Sequence, residues 1–536
     1  MTIWYNIIKR FAAPSLPKPT QEYDQRYFDS LVNVLRLYFN QLDDLLGRIV
    51  AVTSSTVPVS IGGVNVDAFG RIRGSAPYTL FDSQNRYAKN DLFSESTTGS
   101  ATVTYDANAS TVQLNVTAAS GDEVVRQTYR SFSYQPGKGL LVMNTFVMPT
   151  ANSNQRIRIG YFNTENGVFL EREGTAIYLT RRTYVTGTAI DTRVAQADWN
   201  GDKLNGTGAS GYTLDLTKAQ IFWEDFEWLG VGSVRCGFVI NGETIICHTF
   251  QNANNLTSVY MTTAILPVRY EITNFGASTA ATLKQICSTV ISEGGYEKKV
   301  ATDVVRMTTP NTSIGSSFVP LMSIRLAPGR LGAVVIPDGY SVLPTSASSV
   351  TFEVAMYKNA YRRVQSLTNP FATTIGLPTV VVTDTAHGGA TGDYVVFSGA
   401  STVGGLNLNN RYQITVTGVN TYTITASSNA TSTVAAGGGA VSASYEFTES
   451  AWASTSSANV QQNLSATTMS GGTPVFSSYV VASTQSSAPI ANGSDYNWDL
   501  QLGATLAGVS DTYTVAVRAL TGTQTAIGTM SFWDLT

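Results

Sequence analysis

The segment Trp223-Glu224-Asp225-Phe226-Glu227-Trp228 places three carboxylates between two indoles. Glycoside hydrolysis uses two carboxylates across a sugar ring, so this is where polysaccharide hydrolysis would be sought. Strand alternation turns Glu224 to the face opposite Asp225 and Glu227. The simpler reading is therefore a strand whose polar residues alternate with core aromatics.

Other constellations are thinner. Only two histidines occur, His248 and His387, far apart in sequence, which argues against a histidine triad or a multi-histidine metal centre. His248 follows Cys247 on a predicted strand and is expected at a surface or interface. Gly206-Thr-Gly-Ala-Ser-Gly211 has the spacing of a dinucleotide fingerprint but lacks the preceding apolar strand and following helix, so it reads as a loop. On the same loop Asp198, Asn200 and Asp202 alternate as calcium ligands could, without the rest of an EF-hand pattern. A solvated turn is the plainer reading, and calcium binding by Asp198 and Asp202 stays open. Trp199 and Tyr212 are the loop aromatics expected to touch a ligand, if one binds. Arg156, Arg158, Arg172, Arg181 and Arg182 form a basic stretch interleaved with Glu165, Glu171 and Glu173, which predicts a solvated mixed face. No cofactor site, metal site or catalytic residue is assigned, and the chain is read as a non-enzyme.

The elements that would position these residues are strands. Of 536 residues, 43% are hydrophobic and only 13% charged, about half the usual charged share, which suits β-sheets with Thr- and Ser-rich outer faces. The net charge of −3 supplies no field to gather nucleic acid. Three cysteines, no run of about 20 apolar residues and no secretory leader pattern at residues 1–10 point to assembly in a reducing cytoplasm, without a membrane span. The clearest hairpin turns at Asn241-Gly242, pairing Ile240 with Glu243 and Phe238 with Ile245. Continued outward, that register puts Cys236 opposite Cys247 at a hydrogen-bonded pair, about 5.5 Å between Cα atoms. Side chains at such pairs stand apart, so both are expected as buried thiols rather than a disulfide.

One long helical signal precedes the strands. Phe28, Leu31, Leu35, Tyr38, Leu42, Leu45 and Ile49 recur at alternating spacings of three and four, an apolar seam at the heptad period, with Thr20 as the expected N-cap. Such a helix either packs on its own core or self-associates. Its place ahead of an otherwise β chain favours association, with a homotrimer expected. Trp4, Tyr5, Ile8 and Phe11 in the preceding arm are too apolar to be idle and read as an attachment peg. The organisation expected is mainly β: an arm (1–19), a heptad helix (20–50), a linker (51–74), a first β-sandwich of jelly-roll kind (75–295), a second (296–369 and 443–536), and a small β-module (370–442) inserted in the second where insertion costs least.

Asp67-Ala-Phe-Gly-Arg-Ile-Arg, Pro77-Tyr-Thr-Leu-Phe-Asp-Ser-Gln and Phe226-Glu-Trp-Leu-Gly-Val-Gly-Ser-Val-Arg-Cys-Gly-Phe-Val resemble recurrent segments of structural proteins of tailed bacteriophages, marine and cyanobacterial ones included. Asp384-Thr-Ala-His-Gly-Gly-Ala, Gly392-Asp-Tyr-Val-Val-Phe-Ser-Gly and Asn420-Thr-Tyr-Thr-Ile-Thr-Ala resemble a β-module of phage tail and fibre proteins, itself similar to the first catalytic cysteine half-domain of ubiquitin-activating enzymes. Residues 370–442 contain no cysteine, so none of that chemistry transfers. The resemblance implies a virion protein, a fibre, spike, tail- or capsid-attached component. It would be held to other virion proteins through residues 1–50, with its β-domains projecting. Glycan or receptor binding on the host surface is the alternative function. Capsid decoration and envelope polysaccharide hydrolysis rank behind it.

Overall fold

The computed structural model describes residues 24–54, 76–297, 302–345, 351–481, 486–489 and 498–536. Among the described residues the chain is mainly β, with one α-helix, near the N-terminus, and several antiparallel sheets. It divides into residues 1–75 and 76–536.

In the first unit, helix α1 spans Gln25–Ser54. Its cap is Asp24, whose side chain accepts the Arg26 amide at 2.9 Å while its carbonyl accepts the Phe28 amide. Thr20, the expected N-cap, lies outside the described residues. Among residues 24–40 no side chain is buried, and Phe28, Val32, Leu37 and Phe39 are exposed. Leu31, Leu35 and Tyr38 are half-buried. The side chains of Leu42, Leu45 and Ile49, and the arm residues Trp4, Tyr5, Ile8 and Phe11, lie outside the described residues.

Residues 78–292 build two sheets around one core. The first has eight strands, with Gln220–Phe226 between Val234–Ile240 and Leu140–Val147, and with Ala281–Ser292 joining Leu140–Val147 to Thr111–Val116. The second has seven, running Ile190–Ala195, Ala176–Thr183, Gly167–Glu173, Gln155–Phe162, Val268–Asn274, Glu123–Thr128, Phe93–Thr98. Period-two patterning drives this burial. In Leu140–Val147 the residues Leu140, Val142, Asn144 and Phe146 are buried and their neighbours are not. Both sheets feed one cluster that includes Val142, Phe146, Ile157, Ile159, Tyr161 and Phe222.

Residues 302–358 with 453–534 build two further sheets, of five and six strands, around a second core containing Leu321, Ile324, Val354, Val515 and Phe532. Residues 363–445 form sheets of four and five strands around a third core containing Phe371, Val395, Phe397 and Tyr422. This module leaves the second body after Thr351–Lys358 and returns before Ala453–Ser454. The first two bodies are joined closely. Val334, Ile336, Trp498, Trp533 and Leu535 sit in the first body's core cluster. Gln501 Nε2 donates to Ser131 O at 2.7 Å and the Ala504 amide to Tyr129 O at 2.8 Å.

The Asn241-Gly242 hairpin pairs Ile240 with Glu243 and Phe238 with Ile245 as expected, and both turn residues have positive φ. Further out the register slips. Gly237 pairs with Ile246, Cys236 with His248, and Cys247 is the extra residue of a bulge. A Cβ on Gly237 would stand 1.9 Å from Ile245 O, so the partner strand crosses the glycine too closely for any side chain. The bulge frees the Ile246 and Cys247 carbonyls to accept the Asp202 and Gly201 amides at 2.9 and 2.8 Å. Cys236 and Cys247 are both buried free thiols, and they are not cross-strand partners.

Candidate functional site

The loop predicted to present Trp199 and Tyr212 is folded inward at its start. The Asn200 amide donates to His248 Nδ1 at 3.3 Å. The Asn200 side chain also brackets Thr249, giving its Nδ2–H to Thr249 O at 2.9 Å and accepting the Thr249 amide at 2.8 Å. This pinning drives Trp199 into the core, where it is 2% exposed and gives its indole N–H to Val194 O at 3.2 Å. Trp199 is therefore a packing residue and has no face to offer a ligand. Tyr212 is half-exposed, its hydroxyl accepting Asn241 Nδ2 at 3.1 Å. His248, expected at a surface, is buried edge-on against Phe250, and burial lowers its pKa. His387 is also buried, with Nε2 3.0 Å from Gly418 O and Nδ1 accepting the Gly389 amide at 3.0 Å.

Asp202 staples the glycine loop. Its two oxygens accept the Leu204 amide at 2.8 Å and the Ser210 amide at 2.6 Å, and a Cβ on Gly208 would overlap the carboxylate at 2.0 Å. Burial raises its pKa, but the Ser210 and Leu204 amides outweigh this and the net shift is downward. Its carboxylate is committed to closing the loop. Among the described residues no cluster of three His, Cys, Asp or Glu is placed to hold a metal.

The three carboxylates of 224–227 do not converge. Glu224 points between the sheets, wholly buried, with Oε2 accepting the Tyr161 amide at 3.0 Å and Oε1 without a protein partner. Burial raises its pKa well above the ordinary value, against a smaller opposite pull from the Tyr161 amide. Asp225 lies on the other face, paired with Arg235. Glu227 lies beyond the strand end and accepts the Ser233 amide and hydroxyl at 3.2 and 3.1 Å. Glu224 and Glu227 therefore do not flank a common sugar subsite. Glu293, which sequence reasoning missed, stands beside Asp225. Burial and then the Asp225 charge raise its pKa, with Arg235 partly offsetting.

The arginine-rich stretch is mixed, as expected, but it is not solvated. Arg158 contacts Glu171 at 2.7 Å, Glu271 at 3.2 Å and Asp191 at 3.4 Å, while Arg182 holds Asp191 at 2.8 Å and Arg269 holds Glu271 at 2.9 Å. Phe162 and Phe169, 4.4 Å apart, lie beneath these guanidiniums. Arg158, Glu171, Arg269 and Glu271 are all buried. Burial would raise the Glu271 pKa, but Arg269, Arg158 and Arg156 outweigh it and hold the group ionised. Arg172 and Arg181 leave this face by strand alternation. Arg172 donates to Pro149 O at 2.6 Å and is pulled down to about 10 by burial. The lattice locks the outer face of the second sheet and leaves Glu271 no proton to give.

In the module, the residues of the recurrent segments hold turns. Asp384 accepts the Tyr445 hydroxyl at 2.5 Å, Tyr445 and Tyr422 share a hydrogen bond at 2.8 Å, and Asn420 Oδ1 accepts the Ala386 amide at 2.9 Å. Asp393 accepts the Glu449 amide at 2.9 Å, tying the module to the returning chain.

No protein-family model and no curated protein matches this chain. Solved structures with local likeness include three. A protein of unknown function from Shewanella oneidensis MR-1 is 10% identical over 42% of this chain and 91% of that one, with a TM-score of 0.28. The Emp47p carbohydrate recognition domain is 8% identical over 43% of this chain and 100% of that one, with a TM-score of 0.26. A Bacillus licheniformis beta-glucanase is 11% identical over 40% of this chain and 97% of that one, with a TM-score of 0.26. All three TM-scores fall below one half.

Proposed function

We propose that this chain is a non-enzymatic structural protein of a tailed-phage particle. It associates with copies of itself, as a trimer, through α1, and it is anchored to other particle proteins by residues 1–50. Its two larger β-bodies are sandwiches of jelly-roll kind. The single observation that carries the reading is α1 itself: a 30-residue helix with apolar residues at heptad spacing, on which Phe28 in the seam and Val32 and Phe39 beside it are exposed. An exposed apolar row on a helix is an association surface. The tying-up of Glu224, Asp225, Glu227 and Asp202 in structural contacts supports a role built on interfaces. The test is solution mass by light scattering for the full chain and for its Leu31→Ser/Leu35→Ser variant. A trimer that falls to monomer in the variant is expected. A monomeric wild-type chain would overturn self-association through α1.

A further inference from the structure

A cleft of about 1240 Å³ lies where the first body, the second body and the module meet. Its walls repeat one arrangement twice. Arg411 is held by both Glu446 oxygens at 2.6 and 2.8 Å, and its guanidinium lies 3.4 Å over the Tyr394 ring. Arg325 is held by both Glu449 oxygens at 2.6 and 2.8 Å and lies 4.4 Å over Trp452. On the other walls Lys89 pairs with Glu95 at 2.6 Å and Lys358 with Asp511 at 3.1 Å. Gln501, also in the lining, is 1% exposed and spends its amide N–H on Ser131 O, while its Oε1 has no protein donor.

These features restrict the ligand. Five basic and six acidic residues line the cleft, and the close pairs neutralise one another, so no net field draws a polyanion or polycation. What remains is adjacent fixed donors and acceptors beside aromatic rings. Hydroxyl groups donate and accept at once, which suits walls built of paired acids and bases whose guanidiniums are held in place over aromatic rings. The volume exceeds the roughly 300–1,000 Å³ of a small-molecule pocket, so several sugar units fit better than one. Ion pairs already locked on rings cost little further entropy on binding. We propose that this cleft binds a neutral oligosaccharide chain of several units. The proposal is independent of self-association through α1.

The test uses the full chain, titrated by calorimetry with cellohexaose, maltohexaose and chitohexaose, with a heparin hexasaccharide and oligo-dT as charged controls. At least one neutral probe binds, with affinity nearly unchanged between about 50 and 500 mM salt. Tyr394→Leu and Glu449→Gln each weaken it about tenfold or more. Retained circular dichroism and melting temperature show which variants remain folded, and either alone suffices. Absence of binding by all three neutral probes in the millimolar range would overturn the proposal. So would binding unchanged in both folded variants, or binding of the charged controls alone with steep salt dependence. Solution mass is read separately, so a failure of self-association is distinguishable from a failure here.

Discussion

Glu224 is a carboxyl group sealed between two sheets with one amide donor and one unpaired oxygen, and its pKa is raised well above 4.5 chiefly by burial. The consequence for stability has a definite sign. Below the unfolded pKa both states hold the proton and stability is flat. Above it the unfolded chain releases the proton while the folded chain keeps it, so stability falls as pH rises until the folded pKa is passed. While Glu224 stays protonated that loss is about 1.4 kcal/mol per pH unit. Glu224→Gln keeps the shape and an acceptor for the Tyr161 amide but cannot ionise. The amide N–H₂ replacing the unpaired oxygen adds a constant offset independent of pH. The quantity to read is therefore the difference between variant and wild type as a function of pH. Urea unfolding of both, followed from about pH 4 to pH 8, should give curves that diverge above the unfolded pKa, the variant gaining about 1.4 kcal/mol per unit. Parallel curves would refute the reasoning. They would mean that Glu224 ionises in the folded chain, beside water or a cation, and its retirement from chemistry would have to be reconsidered.

Trp199→Ala should cost about 3–5 kcal/mol in urea unfolding as a core truncation, whereas Tyr212→Phe, which loses one half-exposed hydrogen bond, should cost about 1 kcal/mol or less. Near-equal costs would place Trp199 at the surface after all. Burial raises the thiol pKa of Cys236 and pushes Cys247 up to about 12, so a thiol reagent at pH 8 should leave both untouched in the native chain and modify all three cysteines in urea. Asp202 is depressed below its ordinary value, so its contribution is present above the unfolded pKa and is lost as pH falls through the folded one. Asp202→Asn should cost about 1–2 kcal/mol at neutral pH and progressively less in acid, and the melting temperature should be the same in EDTA and in calcium. Tyr445→Phe removes the buried donor to Asp384 and should lower module stability by about 1–3 kcal/mol, read as an earlier melting transition.

Local rules were legible where contacts are local. The Asn-Gly turn fixed the first pairs of its hairpin, and period-two patterning placed Leu140, Val142 and Phe146 inward. The signal for the bulge was also present. Gly237 interrupts an apolar strand, and a glycine there marks a close approach, yet straight counting carried the register past it to Cys236–Cys247. Trp199 failed for a different reason. Its burial depends on His248 and Thr249, 48 and 49 residues from Asn200, and no spacing rule reaches that far. The arginine face failed likewise, because Glu271 arrives on the neighbouring strand 113 residues after Arg158 and Asp191 on another strand of the same sheet.

The cleft is assembled from residues still further apart in sequence. Tyr394 and Arg411 belong to the module, Glu449 and Trp452 to the chain just after it, Arg325 and Gln501 to the second body, and Lys89 and Glu95 to the first. In sequence none of them stands out: Tyr394 and Arg411 open short strands, Glu95 lies within one, and Lys89 sits in a loop. Placing the module between Thr351–Lys358 and Ala453–Ser454 gives the second body a wall it does not code for locally. The Asp393 link to the Glu449 amide sets that wall's position, and with it the position of the Glu449–Arg325–Trp452 stack. A surface insertion that only decorated the fold would need no such tie. A module that completes a binding cleft needs its re-entry point held, and Asp393→Ala should disturb saccharide binding before it disturbs the melting of either larger body.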